Sequence, residues 1–271
     1  MTTPKYALGS TDAEIARLQR QAAVIAEPTA ALLQRGGIEP GMRVLDLGCG
    51  PGDVTFQLAD IVGPQGSVLG LELDAAQLAA ADRRRDEQGL TTVTFQQGDA
   101  RTFVAEQPFD AVVCRLLLMH LPDPVEVLIH HLGNLRPGGC FVAVDYDMSG
   151  ARAYPDVPLY TQVGSWMQAG FRHVGAEPNI GMSFPEMFGR AGLADVGTLG
   201  FQLYFGPDER WAVGYVVDVV RSLKPLLLAS GVVTEDDMEL DTLEDRLDAQ
   251  IREQHAGWTM PTIVGGWGRW R

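Results

Sequence analysis

The chain has 271 residues, 46% of them hydrophobic, and its 35 acidic and 21 basic side chains give a formal net charge of −14. The hydrophobic share suits a globular protein with a sizeable core. So acidic a protein repels phosphate backbones, which disfavours a nucleic-acid substrate.

The three cysteines are Cys49, Cys114 and Cys140, and no pair of them has metal-ligand spacing. They are also too few for a disulfide framework, so we expect neither disulfides nor a metal site. The sequence shows no apolar signal-peptide core and no apolar run of membrane-spanning length. We therefore expect a cytoplasmic protein with no membrane partner.

The first predicted element is a helix over residues 11–35, which Pro28 kinks or restarts. Short, β-branched and nearly continuous apolar runs then alternate with helical patterns, as is typical of strands buried on both faces. This alternation predicts an α/β protein with a parallel, doubly wound sheet. The predicted strands are 43–48, 67–74, 92–99, 109–116 and 140–147, and the helices between them are 53–62, 75–88 and 122–135.

The regular alternation of predicted strands and helices ends after residue 146. The acidic stretch 235–248 and the basic cluster 83–85 are both interpreted as solvated helix faces. The elements predicted in this last part are helices over 158–174 and 184–191, a strand over 196–205, a mostly helical stretch over 208–256 and a last strand within 258–270.

A glycine-rich turn follows the first predicted strand, where residues 48–53 read GCGPGD. Dinucleotide sites use G-x-G-x-x-G, and here the third glycine position holds Asp53. An acid at a helix start opposes a bound pyrophosphate, and no Walker-type Gly-Lys-Ser/Thr is present. The turn therefore predicts a ligand without phosphates.

S-adenosyl-L-methionine fits such a site, because it combines an adenosine, a sulfonium cation and an amino-acid end. We expect the backbone of Gly48, Cys49 and Gly50 to approach its carboxylate closely. Asp46, at the end of the first strand, can accept from its ammonium group.

Three more residues follow strand ends and so face the same crevice outside the carboxyl edge of the sheet. Glu72 can accept from both ribose hydroxyls with one carboxylate. Asp99 can accept from the adenine amine, and the amide of Ala100 can donate to a ring nitrogen.

Four segments, VLDLGCGPGD, VLGLELD, FQQGDA and LRPGGCFVAVDYD, occur in an order and spacing that resemble the class I S-adenosylmethionine-dependent methyltransferases. The small-molecule branch typified by the ubiquinone and menaquinone enzymes is closest, and the resemblance covers residues 20–148. Glutamate stands at position 72, where the family more often has aspartate. The carboxylate is kept, and its distance from the backbone changes slightly.

The resemblance implies a seven-stranded Rossmann-like sheet with an antiparallel last strand and helical lid insertions. It divides the chain into an N-terminal helical lid (1–40), a cofactor-binding core (41–150), and the remainder of the sheet with substrate-lid insertions in the same domain (151–271).

Three further cofactor contacts are implied by the resemblance alone. Gln77, one turn into the helix after Glu72, touches the ribose or adenine in such enzymes, and Leu73 packs on the adenine. Tyr6 closes over the cofactor in the N-terminal segment, although an ordinary packing aromatic is an equal interpretation.

The segment after the fourth strand, CRLLLMHLPDP, faces both cofactor and substrate in the family. His120 is the candidate general base; the alternative is a histidine hydrogen-bonded at a helix start. Arg115 is a candidate contact to the cofactor or to an anionic acceptor, with a structural ion pair as the alternative.

The predicted function is methyl transfer to a small-molecule acceptor, such as a natural product, through an oxygen or carbon nucleophile. The alternatives are a regulatory protein that binds the cofactor without methyl transfer, and an enzyme that uses it for a cyclisation. Aromatic and methionine side chains in the two insertions suggest an apolar or aromatic acceptor, although such side chains more often form a core. These residues are Tyr154, Tyr160, Trp166, Met167, Phe171, His173, Trp211 and Tyr215.

Overall fold

Helices and strands alternate along the first half of the chain in the computed structural model, which describes residues 12–271. The helices of the described residues are α1 (Asp12–Val24), α2 (Ala26–Arg35), α3 (Asp53–Val62), α4 (Ala75–Gln88), α5 (Pro124–Leu132), α6 (Pro158–His173), α7 (Phe184–Arg190), α8 (Arg210–Ser230), α9 (Glu235–Met238) and α10 (Leu243–Glu253). The strands are β1 (Arg43–Leu47), β2 (Ser67–Glu72), β3 (Val93–Gln97), β4 (Phe109–Arg115), β5 (Leu135–Asp147), β6 (Arg152–Tyr154), β7 (Ala194–Phe201), β8 (Tyr204–Phe205), β9 (Gly257–Thr259) and β10 (Thr262–Arg269).

The chain divides into two compact units. We call the first the sheet unit; it consists of Ala22–Asp145, Ile180–Gly200 and Ile263–Arg271. The second, the helical unit, consists of residues up to Gln21 together with Tyr146–Asn179 and Phe201–Thr262. The interpretation of residues 1–40 and 151–271 as lid-bearing parts of one domain stays a prediction.

The sheet unit holds a seven-stranded sheet in the order β3-β2-β1-β4-β5-β10-β7. The pairings of β1 with β2 and β4, of β2 with β3 and of β4 with β5 are parallel. At the start of β5, the Gly138 amide donates to the Trp270 carbonyl just beyond the end of β10 (2.7 Å), so β10 runs antiparallel to β5. The predicted Rossmann-like sheet with an antiparallel last strand is confirmed.

The central strands of the sheet are buried on both faces, which explains their continuous apolar runs. Val44 and Leu45 of β1 and Val112 and Val113 of β4 are fully buried. Helix α3 adds one apolar face to this core, with Val54, Phe56, Leu58, Ala59 and Val62 buried. The carboxyl ends of β1, β2, β3 and β4 therefore meet at one edge of a rigid layer.

The element bounds differ from prediction in several places. The first predicted helix is two helices, α1 and α2, which are separated at Ile25 rather than at Pro28. Helix α5 begins at Pro124 rather than at residue 122, since proline is well suited to a first helical position. Strand β5 begins at Leu135 rather than at residue 140, and its register against β4 shifts between the pairs Phe109–Leu135 and Ala111–Cys140. The predicted strand over 196–205 is two strands, β7 and β8.

The helical unit has its own core and a small sheet in the order β6-β9-β8, in which β9 pairs antiparallel with both neighbours. Helices α6 and α8 approach closely at Gly170, where an added Cβ would lie 2.7 Å from Leu227. Trp258 of β9 is almost completely buried and contacts the rings of Tyr160 and Phe205.

Most of the acidic stretch 235–248 is exposed, as predicted, but Asp248 is an exception. It is 6% exposed and lies 3.2 Å from Arg210 and 3.0 Å from Arg252. Within the described residues, no helix has the length and apolar character needed to cross a membrane.

Candidate cofactor site

The glycine turn between β1 and α3 is shaped by its backbone torsions. Gly48, Gly50 and Gly52 have φ of 65°, 55° and 92°, a region that favours glycine. An added Cβ at Gly52 would lie 2.9 Å from the ring of Phe56, and one at Gly48 would lie 3.0 Å from Leu117. The turn thus needs glycine for both conformation and close packing.

The amides of this turn already have partners. Gly48 and Cys49 both donate to the carbonyl of Leu71 in β2, at 2.8 and 3.1 Å. Gly50 donates to the Glu72 carboxylate at 2.9 Å. A ligand carboxylate that used these three amides would have to replace those bonds, so the turn meets a ligand mainly by its shape.

Asp46 ends β1 with a carboxyl group that is 1% exposed. Thr55 Oγ1, on the first turn of α3, donates to it at 2.6 Å. Burial raises the pKa of Asp46 to about 7, although the bond from Thr55 and the charge of Arg115 act in the opposite direction. Thr55 was missed by sequence reasoning, because nothing local distinguishes it from an ordinary residue on a buried helix face.

Glu72 ends β2 and joins two structures through its carboxylate. Oε2 accepts from the Gly50 amide and Oε1 from the Asp74 amide, both at 2.9 Å. Asp74 in turn caps α4 by accepting from the amides of Ala76 and Gln77. Burial raises the pKa of Glu72 above the ordinary glutamate value, while the bonds from these amides lower it.

Leu73 and Gln77 both follow Glu72 in the chain and differ in their environments. Gln77 is 4% exposed, and its Oε1 lies 3.0 Å from the position that a Cβ on Gly50 would occupy. Leu73 is 38% exposed at the sheet edge. The structure thus brings Gly50, Glu72 and Gln77 together and leaves an apolar side chain open beside them.

Asp99 follows β3 and is engaged by a neighbour that sequence reasoning missed. Arg101 Nη2 lies 2.5 Å from Asp99 Oδ2, and Arg101 Nε lies 3.0 Å from Oδ1. The hydrogen bonds from Arg101 lower the pKa of Asp99, so this carboxylate stays ionised. Ala100 comes next, and its carbonyl lies 2.6 Å from His131 Nε2.

Arg115 and His120 belong to β4 and to the loop after it. Arg115 Nη1 donates to Thr29 Oγ1 at 3.2 Å, and the guanidinium charge lowers the pKa of Asp46. His120 ends a 3₁₀ turn over Leu118–His120, before α5 rather than at its start. Burial lowers the pKa of His120 to about 4, so its imidazole is neutral at neutral pH.

The basic cluster 83–85 is more than a solvated face, which corrects the prediction for one of its members. Arg84 Nη1 donates to the carbonyl of Pro51 at 2.5 Å, and Nη2 lies 2.7 Å from Asp53. The side chain of Arg84 therefore holds the glycine turn against α4. The same pair compensates the Asp53 charge, which weakens Asp53 as an argument against bound phosphate.

Tyr6 lies outside the described residues. Among the residues that are described, no group of three or more His, Cys, Asp or Glu side chains could hold a metal ion. The side chains proposed for the acceptor pocket differ in exposure within the helical unit, where Phe171 and Tyr215 are partly buried and His173 is exposed. Tyr160, Trp166 and Met167 are buried, with Tyr160 donating to the Thr259 carbonyl, whereas Tyr154 and Trp211 are exposed.

Comparison with known proteins identifies the class. Residues 38–175 match the methyltransferase domain family, and the chain belongs to this family. The fold agrees: the YcgJ protein from Bacillus subtilis superimposes with a TM-score of 0.58 at 16% identity, covering 90% of this chain and 99% of that one. The geranyl diphosphate C-methyltransferase from Streptomyces coelicolor gives 0.54 at 15% identity, covering 90% and 75%.

Individual relatives are similar over part of their length. A demethylmenaquinone methyltransferase from Lactococcus lactis is 34% identical over 134 residues, 49% of this chain and 51% of that protein. A trans-aconitate 2-methyltransferase from Deinococcus radiodurans is 33% identical over 166 residues, 59% and 61%. The chain thus spans about half the length of the curated relatives it matches. The predicted resemblance to the class I methyltransferases is confirmed at the level of the family.

Proposed function

We propose that the protein is an S-adenosylmethionine-dependent methyltransferase that acts on the oxygen or carbon of a small molecule. The observation that carries this proposal is the Glu72 carboxylate, which is held by the Gly50 and Asp74 amides at the sheet edge. A carboxylate fixed in this way can accept from a vicinal diol, which is the chemistry of a ribose. Membership of the methyltransferase domain family supports the same cofactor.

The residues present fit this cofactor by their chemistry. Asp46 and Glu72 are acceptors suited to an ammonium group and two hydroxyls, and the positive-φ glycines between them leave space against the backbone. Leu73, exposed beside Glu72, suits the face of an adenine. When bound, S-adenosylmethionine supplies an electrophilic methyl group on a sulfonium and a stable leaving group.

The acceptor class rests on the relatives. Those similar to this chain are named for demethylmenaquinone, for trans-aconitate and for 2-phytyl-1,4-naphtoquinone, and all three names denote small organic molecules. We propose an acceptor of this size that is apolar or aromatic. A cytoplasmic location belongs to the same proposal and is supported by three buried free cysteines, which are typical of a reducing compartment.

This chain would catalyse by positioning the acceptor and removing its proton. The reaction is an in-line displacement, so holding the nucleophile near attack distance supplies much of the rate. His120, neutral at neutral pH, would accept the proton as the acceptor's new bond to carbon forms. A base with a pKa near 4 gives little driving force by itself, so the proton must move in step with methyl transfer.

The test is incubation of the protein with methyl-labelled S-adenosylmethionine and a panel of a demethylated naphthoquinol, trans-aconitate and a metabolite extract. We expect labelled small molecule and S-adenosylhomocysteine in equal amounts, and loss of both with Glu72→Ala. Cofactor binding without transfer of label would contradict the proposal and favour a regulatory protein. An unlabelled product that depends on the cofactor would favour a cyclisation.

A further inference from the structure

The loop over residues 98–108, which joins β3 to β4, is held by side chains from the end of α5. His131 Nε2 lies 2.6 Å from the Ala100 carbonyl, and Asn134 Nδ2 donates to the Phe103 carbonyl at 3.0 Å. Asn134 Oδ1 accepts from the Ala105 amide at 2.8 Å. Two residues about 30 positions downstream therefore bind three backbone groups of this loop.

The hydrogen bonds between these two side chains leave one consistent arrangement. A carbonyl only accepts, so His131 Nε2 must carry the proton and Nδ1 must be an acceptor. Asn134 Nδ2 lies 2.9 Å from that Nδ1 and supplies the donor. The Ala105 amide requires the Asn134 oxygen on the other side, which fixes the orientation of the carboxamide.

This network is buried and every polar atom of both side chains is used. His131 is 0% exposed and Asn134 is 2% exposed. Burial lowers the pKa of His131 to about 4, so the neutral tautomer that the network needs persists at neutral pH. A buried and fully satisfied polar network is rigid, because each lost bond leaves an unpaired group away from water.

Hydrogen bonds fix the backbone on both sides of Ala100, and the network supplies the one to the Ala100 carbonyl. The peptide before it is held by the Asp99 carbonyl, which accepts from the Thr102 and Phe103 amides at 3.0 Å each. The peptide that joins Ala100 to Arg101 is held at both of its polar groups. Its carbonyl is bound by His131, and its amide, which belongs to Arg101, donates to Asp99 Oδ1 at 2.8 Å. Without His131, the second peptide keeps only the local bond.

We propose that His131 and Asn134 are positioning residues that preset the 98–108 loop to read the adenine of the cofactor. This inference rests on the proposed function and on the expectation from the sequence that the Asp99 carboxylate and the Ala100 amide face the adenine. Neither positioning residue touches the ligand; each acts through the backbone of the loop.

The test compares S-adenosylhomocysteine with S-inosylhomocysteine by calorimetry on the whole chain. Hypoxanthine reverses the hydrogen-bonding pattern of the adenine edge, because a carbonyl replaces the amine and the adjacent ring nitrogen gains a proton. The ratio of the two affinities therefore measures how accurately the loop presents its donor and acceptor. A correctly placed pair should favour adenine by about tenfold or more, since each unpaired group lowers affinity.

The variants are His131→Leu and Asn134→Leu, with Thr198→Val as the matched control. Thr198 Oγ1 also donates to a backbone carbonyl in the sheet unit, that of Gly265 at 2.9 Å, in strands outside this loop. We expect both loop variants to reduce the adenine preference at least about threefold. We expect the control to lower thermal stability and keep the ratio.

The outcomes separate the two proposals. Native protein that binds neither ligand would overturn the proposed function and this inference together. A native preference for adenine that survives intact in folded His131→Leu and Asn134→Leu would overturn the inference alone, and would make the pair a stability element only. Because both ligands are measured on the same folded sample, partial unfolding lowers both signals and leaves the ratio unchanged.

Discussion

Two loops at the same edge of the sheet obtain their shape by different physical means. The glycine turn, residues 48–52, has three positive φ values within five residues and packs closely against Leu117 and Phe56. The 98–108 loop is instead held by the buried side chains of His131 and Asn134. Backbone torsions determine the conformation of the first loop, and long-range hydrogen bonds determine that of the second. We therefore expect substitutions in the two loops to have different effects.

The largest expected effect concerns a third loop at this edge, which carries His120, the proposed general base. His120→Ala should lower turnover by roughly 10²–10⁴-fold and keep cofactor affinity, because a general base contributes about that much. Single-turnover methyl transfer on native and variant protein measures it. Native turnover should rise with pH around 4, where the imidazole loses its proton, and stay level above that range as far as His120 is concerned.

Retained turnover in His120→Ala would remove the base role and favour an acceptor that is already nucleophilic. His255→Ala serves as the control, since His255 is exposed and has no proposed part in proton transfer or cofactor binding.

The second-largest expected effect concerns Glu72, whose carboxylate accepts from the Gly50 amide of the glycine turn. Glu72→Ala removes hydrogen bonds to the ribose that contribute roughly 1.5–3 kcal/mol each, so affinity for S-adenosylhomocysteine should fall at least about tenfold. Glu72→Asp, which restores the residue more common in the family, should keep most of the affinity. Calorimetry on both variants checks this, and equal affinity in native and Glu72→Ala protein would show that this carboxylate does not hold the cofactor.

The pH dependence of cofactor affinity distinguishes Asp46 from the two loops, because it depends on the burial of the Asp46 carboxyl group rather than on loop geometry. Its pKa of about 7 means that the unliganded carboxyl is largely protonated at lower pH, whereas an ammonium group requires the ionised form. Affinity for S-adenosylhomocysteine should therefore rise with pH through this range, by up to about tenfold per pH unit on the acid side.

Asp46→Asn should bind more weakly and lose this pH dependence. Calorimetry at about pH 5.5 and about pH 8.5 distinguishes the cases. A native affinity that is equal at both values would exclude Asp46 as the group that accepts from the ammonium.

The smallest expected effect tests whether the glycine turn depends on its torsions alone. Arg84 donates to the Pro51 carbonyl and pairs with Asp53, but it is partly exposed, and such interactions contribute little. Arg84→Ala should weaken cofactor binding by only a few-fold, and Arg83→Ala, at an exposed position on the same helix, should have no effect. A loss as large as that of Glu72→Ala would show that the turn needs a tertiary clamp as well.

A stability measurement addresses the second loop separately. The pKa of His131 is lowered to about 4 in the folded protein. Between about pH 6.5 and about pH 4, the unfolded chain therefore binds a proton at His131 that the folded protein does not bind. The stability advantage of native protein over His131→Leu should therefore shrink as pH falls through that window. Denaturant titrations at several pH values measure it, and an advantage that does not change with pH would indicate that His131 has the same pKa in the folded protein as in the unfolded chain.

The sequence alone determined most of what lies close together along the chain. Strand and helix periodicity predicted the parallel sheet, and the glycines at 48, 50 and 52 predicted the turn, because both depend on neighbouring residues. Placing Asp46, Glu72 and Asp99 at one edge followed from a topological rule, since parallel strands end on the same side. The family followed from four motifs in register.

Only the tertiary structure decided what depends on burial and on distant contacts. The pKa of Asp46 near 7 requires a closed core around it, and the pKa of His120 near 4 requires the same. Arg84 and His131 gained their roles from partners about 30 residues away, which no local pattern identifies. The interpretation of residues 83–85 as a solvated helix face therefore could not distinguish Arg84 from Arg83. Hydrogen bonds between distant segments are specified by the fold, which the chain must form before those side chains meet.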